Sequence, residues 1–163
     1  MDNSVGNEKG GIMSSVRQMQ PSLTPKEISD FAAAWYRKLD VHAPMVEVLP
    51  FLADEDLVMK FPEATANGWA GFESWYQRVI RIFFDEVHAV KECTPKISGN
   101  EAEVHVVVNW EASVWNPPAA TSARIKLDAD QTWKVRRSER TGGLEITLYT
   151  VNGLDYKPGS AKL

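Results

Sequence analysis

Apolar side chains recur every three or four residues through Ile28, Phe31, Ala32, Trp35, Tyr36 and Leu39, the spacing of one face of an α-helix. Thr24-Pro25-Lys26-Glu27 opens this stretch. Thr24 can cap, Pro25 suits the first helical position, and Glu27 completes a capping box. The pattern predicts an amphipathic helix over 25–39, broken by His42-Ala43-Pro44. Met45, Val48, Leu49 and Leu52 then give a short second helix, and the alternation of Leu57, Met59 and Phe61 gives a short strand ended by Pro62. Residues 63–70, with Asn67-Gly68-Trp69, read as a loop. After Gly71, the run Phe72, Trp75, Tyr76, Val79, Ile80 and Phe83 is the clearest helical stripe in the chain. Alternating segments follow near 86–97, 101–115, 121–128, 131–140 and 144–151. Ser98-Gly99-Asn100 and Asp128-Ala129-Asp130 read as hairpin turns between them.

Helices first and antiparallel strands last predict an α+β layer fold. A strand as long as 101–115 would span roughly 45–50 Å, so it must bend to stay on a small core. The expected architecture is therefore a cone: three N-terminal helices packed on a strongly curved mixed or antiparallel sheet, with a central cavity. The domain expected is 22–157, preceded by a flexible arm, 1–21, and followed by a polar tail, 158–163. Within the arm, Ile12, Val16 and Met19 form at most a weak apolar stripe.

Composition narrows the function. The 163 residues carry a net charge of −4, and the basic cluster Lys134, Arg136, Arg137 and Arg140 is short and interrupted by Val135 and Glu139. No nucleic-acid surface is expected, because phosphate binding needs clustered Lys and Arg. No apolar run suggests a membrane span. Cys93 is the single cysteine, read as a small buried filler. With no signal-peptide pattern at the N-terminus, it points to a reducing, cytoplasmic setting. The three histidines, His42, His88 and His105, have no metal-ligand spacing. Phosphate-loop and nucleophile-elbow motifs are absent from the sequence. No metal and no cofactor are expected.

The order of elements resembles the nuclear-transport-factor-2-like superfamily, in particular its SnoaL-like branch, over about 24–152. The likeness rests on helix, short helix and short strand, then Gly68-Trp69-Ala70-Gly71-Phe72 opening the third helix. Asp85-Glu86-Val87-His88, Ser98-Gly99-Asn100-Glu101-Ala102 and four long strands complete it. The resemblance implies a cone with a pocket for a small molecule, and a homodimer through the outer sheet face, where Trp115 would sit. It also implies membership of a group that holds ketosteroid isomerases, polyketide cyclases, scytalone dehydratase and non-catalytic binders. Scytalone dehydratase is the nearest chemical analogy. Its His at the start of the strand after the third helix is matched by His88, and the Asp of its Tyr-Asp pair by Asp40. Leu39 stands where that pair has Tyr, and Tyr36 lies one turn earlier.

His88 with Asp40 is the favoured catalytic constellation. An imidazole titrates close to neutrality and can take and give a proton; a carboxylate on its other nitrogen would fix the tautomer. Tyr36 would donate a hydrogen bond to a substrate oxygen, and Met59, Trp69, Trp75, Val90 and Trp110 would line the ligand site. Trp133 can serve either the lining or the core. Plainer readings stand beside these: Asp40 as a turn acceptor, Tyr36 as core, His88 as a structural strand residue. Register divides them. A three-residue turn at 98–100 sets His88 opposite Trp110, facing inward; a two-residue turn, Gly99-Asn100, sets it opposite Glu111, facing out. In the second case Glu111 with Asn109 becomes the alternative acid–base set. Pro95 marks a possible bulge that would change the count. The function expected is proton transfer of the isomerase, dehydratase or cyclase kind on an apolar oxygenated molecule. The alternative is a ligand-binding or dimeric scaffold protein of the same fold.

Overall fold

Thr24 caps the first helix as its sequence predicts, its Oγ1 accepting from the Glu27 N–H at 3.1 Å. The computed structural model describes residues 20–163. Most of the expected arm, with Ile12, Val16 and Met19, therefore lies outside the described residues. Helix α1 spans Pro25–Asp40 and buries Ile28, Ala32, Trp35, Tyr36 and Leu39. Glu27 does not close a reciprocal capping box. Its carboxylate is taken by the buried Arg137 guanidinium, whose Nη2 donates to Oε2 at 3.0 Å and whose Nη1 bonds Oε1. A charge-assisted forked pair outweighs a single bond to a backbone N–H.

One-turn helix α2 (Met45–Val48) passes into a 3₁₀ turn at Leu49–Phe51. Strands β1 (Val58–Lys60) and β2 (Thr65–Asn67) lead to α3 (Gly68–Ile82), then β3 (Phe83–Ser98), β4 (Glu101–Val114), β5 (Ala123–Arg137) and β6 (Leu144–Tyr156). The strands form one six-stranded sheet in the order β2-β1-β6-β5-β4-β3. The β1–β6 pair is parallel and the other pairs are antiparallel. Residues 63–70 are thus not a loop: they hold β2 and the first turn of α3. A Cβ on Gly71 would come within 3.3 Å of the Ala66 backbone, so a larger residue there would push the helix a few tenths of an ångström off its own strand.

Asp128-Ala129-Asp130 is not a turn either, and β5 runs through it without a break. Ala129 points into the core, 6% exposed, while the two aspartates on the outer face find partners. Lys91 and Lys157 Nζ lie 2.6 and 2.7 Å from Asp128 Oδ2, and His105 Nε2 lies 2.9 Å from Asp130 Oδ2. Turn-like composition is overridden where tertiary partners satisfy the carboxylates. The long β5 also explains why β6 extends to Tyr156 rather than stopping at 151: Leu127 pairs with Tyr156. The expected tail is tied down as well, with Ala161 N–H donating to Arg124 O at 2.9 Å.

Burial works against ionisation of Asp128, but hydrogen bonds from Lys157, Lys91 and Asn109 outweigh it and hold the carboxyl well below the usual carboxylate range. A carboxyl depressed in the folded state contributes stability that is fully present above its unfolded value of about 4 and is lost as pH falls below it. Urea unfolding of Asp128→Asn should show a clear deficit against wild type at pH 7 and a smaller one at pH 3. A deficit that does not change with pH would contradict this account.

Candidate functional site

The hairpin joining β3 to β4 has the two-residue turn Gly99-Asn100, with Ser98 opposite Glu101. Taken alone, that register would turn His88 outward. A bulge at Lys91, between the pairs Val90–Val108 and Glu92–Val107, adds one residue to β3 and sets His88 opposite Trp110. The imidazole therefore faces inward by a short turn plus a bulge, not by a long turn. Pro95 pairs regularly with Val104 and is not the bulge. A second irregularity, between Phe84 and Val87, has Asp85 at φ 49°; it keeps Phe83 and Glu86 on the same inner side as His88. The alternative set drops out: Asn109 bonds Asp128 on the outer face, and Glu111 approaches Arg124 at 3.8 Å.

The inner face of the sheet, α3 and the end of α1 line a half-open pocket of about 320 Å³. Its lining is mostly apolar and aromatic, including Leu39, Phe83, Val108, Trp110, Leu127 and Tyr149, with His88, Glu86 and Gln131 supplying polar groups. At one side Trp75 also lines it, stacked on Phe61 with ring centroids 3.8 Å apart.

β3 is the edge strand, so alternate N–H groups on its free side have no ladder partner. Asp40, the last residue of α1, takes one of them. Its Oδ2 accepts the His88 backbone N–H at 3.2 Å and its Oδ1 lies 2.6 Å from His88 Nδ1. An ionised carboxylate only accepts, so Nδ1 carries the hydrogen and Nε2 of the neutral ring is left as the acceptor. The ring is clamped on its faces too. Tyr36 stacks on it at 4.9 Å between centroids and 20° between planes, and Trp110 lies on it at 6.1 Å and 24°.

His88, Asp40 and Tyr36 are thus brought together, but Tyr36 does not stand where the sequence reading put it. Its hydroxyl donates to Gln131 Oε1 at 2.7 Å, and burial pushes its phenol well above the ordinary value. It holds the imidazole rather than reaching the pocket. Trp133 Nε1 donates to the same Gln131 oxygen at 3.0 Å. An indole N–H can only donate, which fixes that atom as the oxygen and directs the Gln131 amide NH₂ elsewhere.

Of the five residues expected to line a ligand site, Trp75 and Trp110 border this pocket. Met59 is fully buried in the core. Trp69 faces away, donating to Leu52 O at 3.2 Å under the Arg140 guanidinium. Val90 sits 38% exposed on the edge strand beyond the pocket. Sequence reasoning missed Gln131, Tyr149 and the partnership of Glu86 with His42. Glu86 had a signal, since it lies two residues before His88 on one strand face. Gln131 was hidden by the mistaken turn at 128–130. Tyr149 lines the pocket, 4% exposed, and burial pushes its phenol up to about 12.

No protein-family model matches this sequence, and no curated protein matches it by sequence. Solved structures do match. The hexachlorocyclohexane dehydrochlorinase LinA-type3 from Novosphingobium barchaimii superposes with a TM-score of 0.65 at 13% identity, over 85% of this chain and 92% of that one. A proposed scytalone dehydratase from Novosphingobium aromaticivorans gives 0.64 at 15%, over 85% and 88%. A nuclear transport factor 2-like protein from Salmonella enterica gives 0.60 at 15%, over 85% and 92%. The chain therefore has the nuclear-transport-factor-2-like fold. At these identities the likeness establishes the architecture, and chemistry has to be argued from the site.

Proposed function

We propose that this chain is an enzyme that moves a proton at a carbon beside a carbonyl, in an isomerisation, elimination or cyclisation of a small apolar oxygenated molecule. One observation carries the reading: an imidazole lines an apolar pocket with its Nδ1 held 2.6 Å from a carboxylate. That arrangement leaves Nε2 as a base of fixed direction, and Asp40 stabilises the imidazolium formed when it takes a proton. Asp40 is a positioning residue here, since it does not line the pocket. The Gln131 amide NH₂ takes the part first expected of Tyr36, donating to the carbonyl oxygen as negative charge develops there. The fold shared with a dehydrochlorinase and a proposed dehydratase is in keeping with such chemistry.

The test uses 4-phenylbutan-2-one, a neutral ketone small enough for the pocket. Incubated with the protein in D₂O, it should lose its α-proton NMR signals well above the buffer rate. Ligand-induced shifts in the protein spectrum without any accelerated exchange would mean that the pocket binds but does not act as a base, and the binding-protein reading would replace this one.

A further inference from the structure

The pocket is served by two histidine–carboxylate pairs with their roles exchanged. In the first, His88 lines the cavity and Asp40 stands behind it. In the second, the carboxylate of Glu86 lines the cavity and His42 stands behind, its Nε2 2.7 Å from Glu86 Oε1. Glu86 is fixed at its other oxygen by the Trp110 indole, which donates to Oε2 at 3.0 Å, so its direction is set by the same ring that lies on His88. His42 is held in the turn after α1 at φ 50°, with its N–H donating to Leu39 O at 3.1 Å. Unlike the Glu86 side chain, which is 9% exposed, that of His42 is 27% exposed and reaches solvent. The sequence Glu86-Val87-His88 places the two pocket-facing groups on one strand face, where side chains repeat every second residue.

We infer that Glu86 is the acid partner of His88, delivering a proton to a departing oxygen, and that His42 links it to solvent. This rests on His88 as the base. In an elimination from a β-hydroxy ketone, His88 Nε2 takes the α-proton and the electron pair of that C–H bond becomes the new C=C bond. The C–O bond breaks, and its electrons leave with the oxygen. Glu86 supplies the proton that turns that oxygen into water. The imidazolium of His88 then returns its proton to solvent, while His42 hands one from solvent to the Glu86 carboxylate. The sum is substrate to enone plus water, with both side chains restored. Hydroxide is a poor leaving group and acetate a good one, so the acid is needed only for the first. The site is accordingly built for alcohols that lose water beside a carbonyl, and an enzyme using His88 alone would not need the second pair.

The experiment compares 4-hydroxy-4-phenylbutan-2-one with its O-acetyl ester, following the conjugated enone that both produce. Wild type should turn over both. Glu86→Gln, which keeps an oxygen for the Trp110 indole, should lose on the order of 10²-fold on the alcohol, the lower end of general-acid contributions, and less than about 3-fold on the acetate. His42→Gln should show the same selectivity. Equal losses on the two substrates would assign Glu86 a merely structural role and overturn the inference, as would full activity of Glu86→Gln on the alcohol. His88→Gln separates this inference from the reading beneath it: it should lose both substrates, and if it loses neither, the base assignment fails whatever Glu86 does.

Discussion

Replacing His88 by Gln should lower the α-proton exchange rate by about 10³–10⁴-fold, the upper range for loss of a general base, while ligand affinity changes little. Glutamine is close to imidazole in reach and can still donate to Asp40, so the α1–β3 contact and the pocket volume are retained. What it lacks is a nitrogen that can take a proton. The ring it replaces makes one strong polar contact, at 2.6 Å to Asp40, and otherwise stacks between Tyr36 and Trp110. None of these holds the ligand. The loss should therefore fall on the rate at saturating ketone and not on the concentration needed to saturate. Parallel measurement of exchange and of binding, the latter by NMR shift titration with 4-phenylbutan-2-one, checks both halves. A variant that exchanges as fast as wild type would leave the imidazole as a packing group on the pocket wall.

How much of this was legible in the sequence depends on how local each signal was. Helix α1 was readable to within one residue at its C-terminal end, because capping, proline placement and a 3.6-residue apolar period all lie within one segment. The same holds for the inner face of β4, where Val104, Val106, Val108 and Trp110 alternate without interruption. Failure came where the deciding partner was distant in sequence. Asp128 and Asp130 have turn-forming side chains, and only Lys91, Lys157 and His105 on neighbouring segments make them outer-face strand residues. The direction of His88 is the sharpest case. Counting from the turn that actually forms gives the wrong face, and only the bulge at Lys91 restores the right one. Lys91 reaches Asp128 on the outer face, a contact that alternation cannot reveal. The candidate site was legible by chemistry and resemblance, then, while the direction of its imidazole depended on one inserted residue.

Trp133→Ala should cost roughly 3–5 kcal/mol of folding stability, the range for truncating a large buried aromatic, and lower Tm by about 10 °C for a domain of this size. Trp133 is fully buried. It stacks on Tyr149 at 5.3 Å and 23°, and lies against Tyr36 at 5.7 Å, so its removal opens space on two sides. Its N–H is also one of the two donors that fix the Gln131 oxygen. Trp133→Phe separates the two effects. It keeps most of the apolar volume, so stability should fall by only about 1–2 kcal/mol, mainly for the lost hydrogen bond and a partly filled site. Yet the donor-only constraint on the Gln131 amide is gone: the Tyr36 hydroxyl, which donates to the oxygen, can also accept from an N–H, so the flipped amide with its oxygen toward the ketone is no longer excluded. An oxygen there would repel the developing enolate. Exchange activity in Trp133→Phe should consequently fall by more than its modest loss of stability explains, in urea titrations and exchange assays run at one temperature where the variant is fully folded. A variant that is less stable but equally active would show that Tyr36 alone suffices to hold Gln131, and that Trp133 serves the core and not the site.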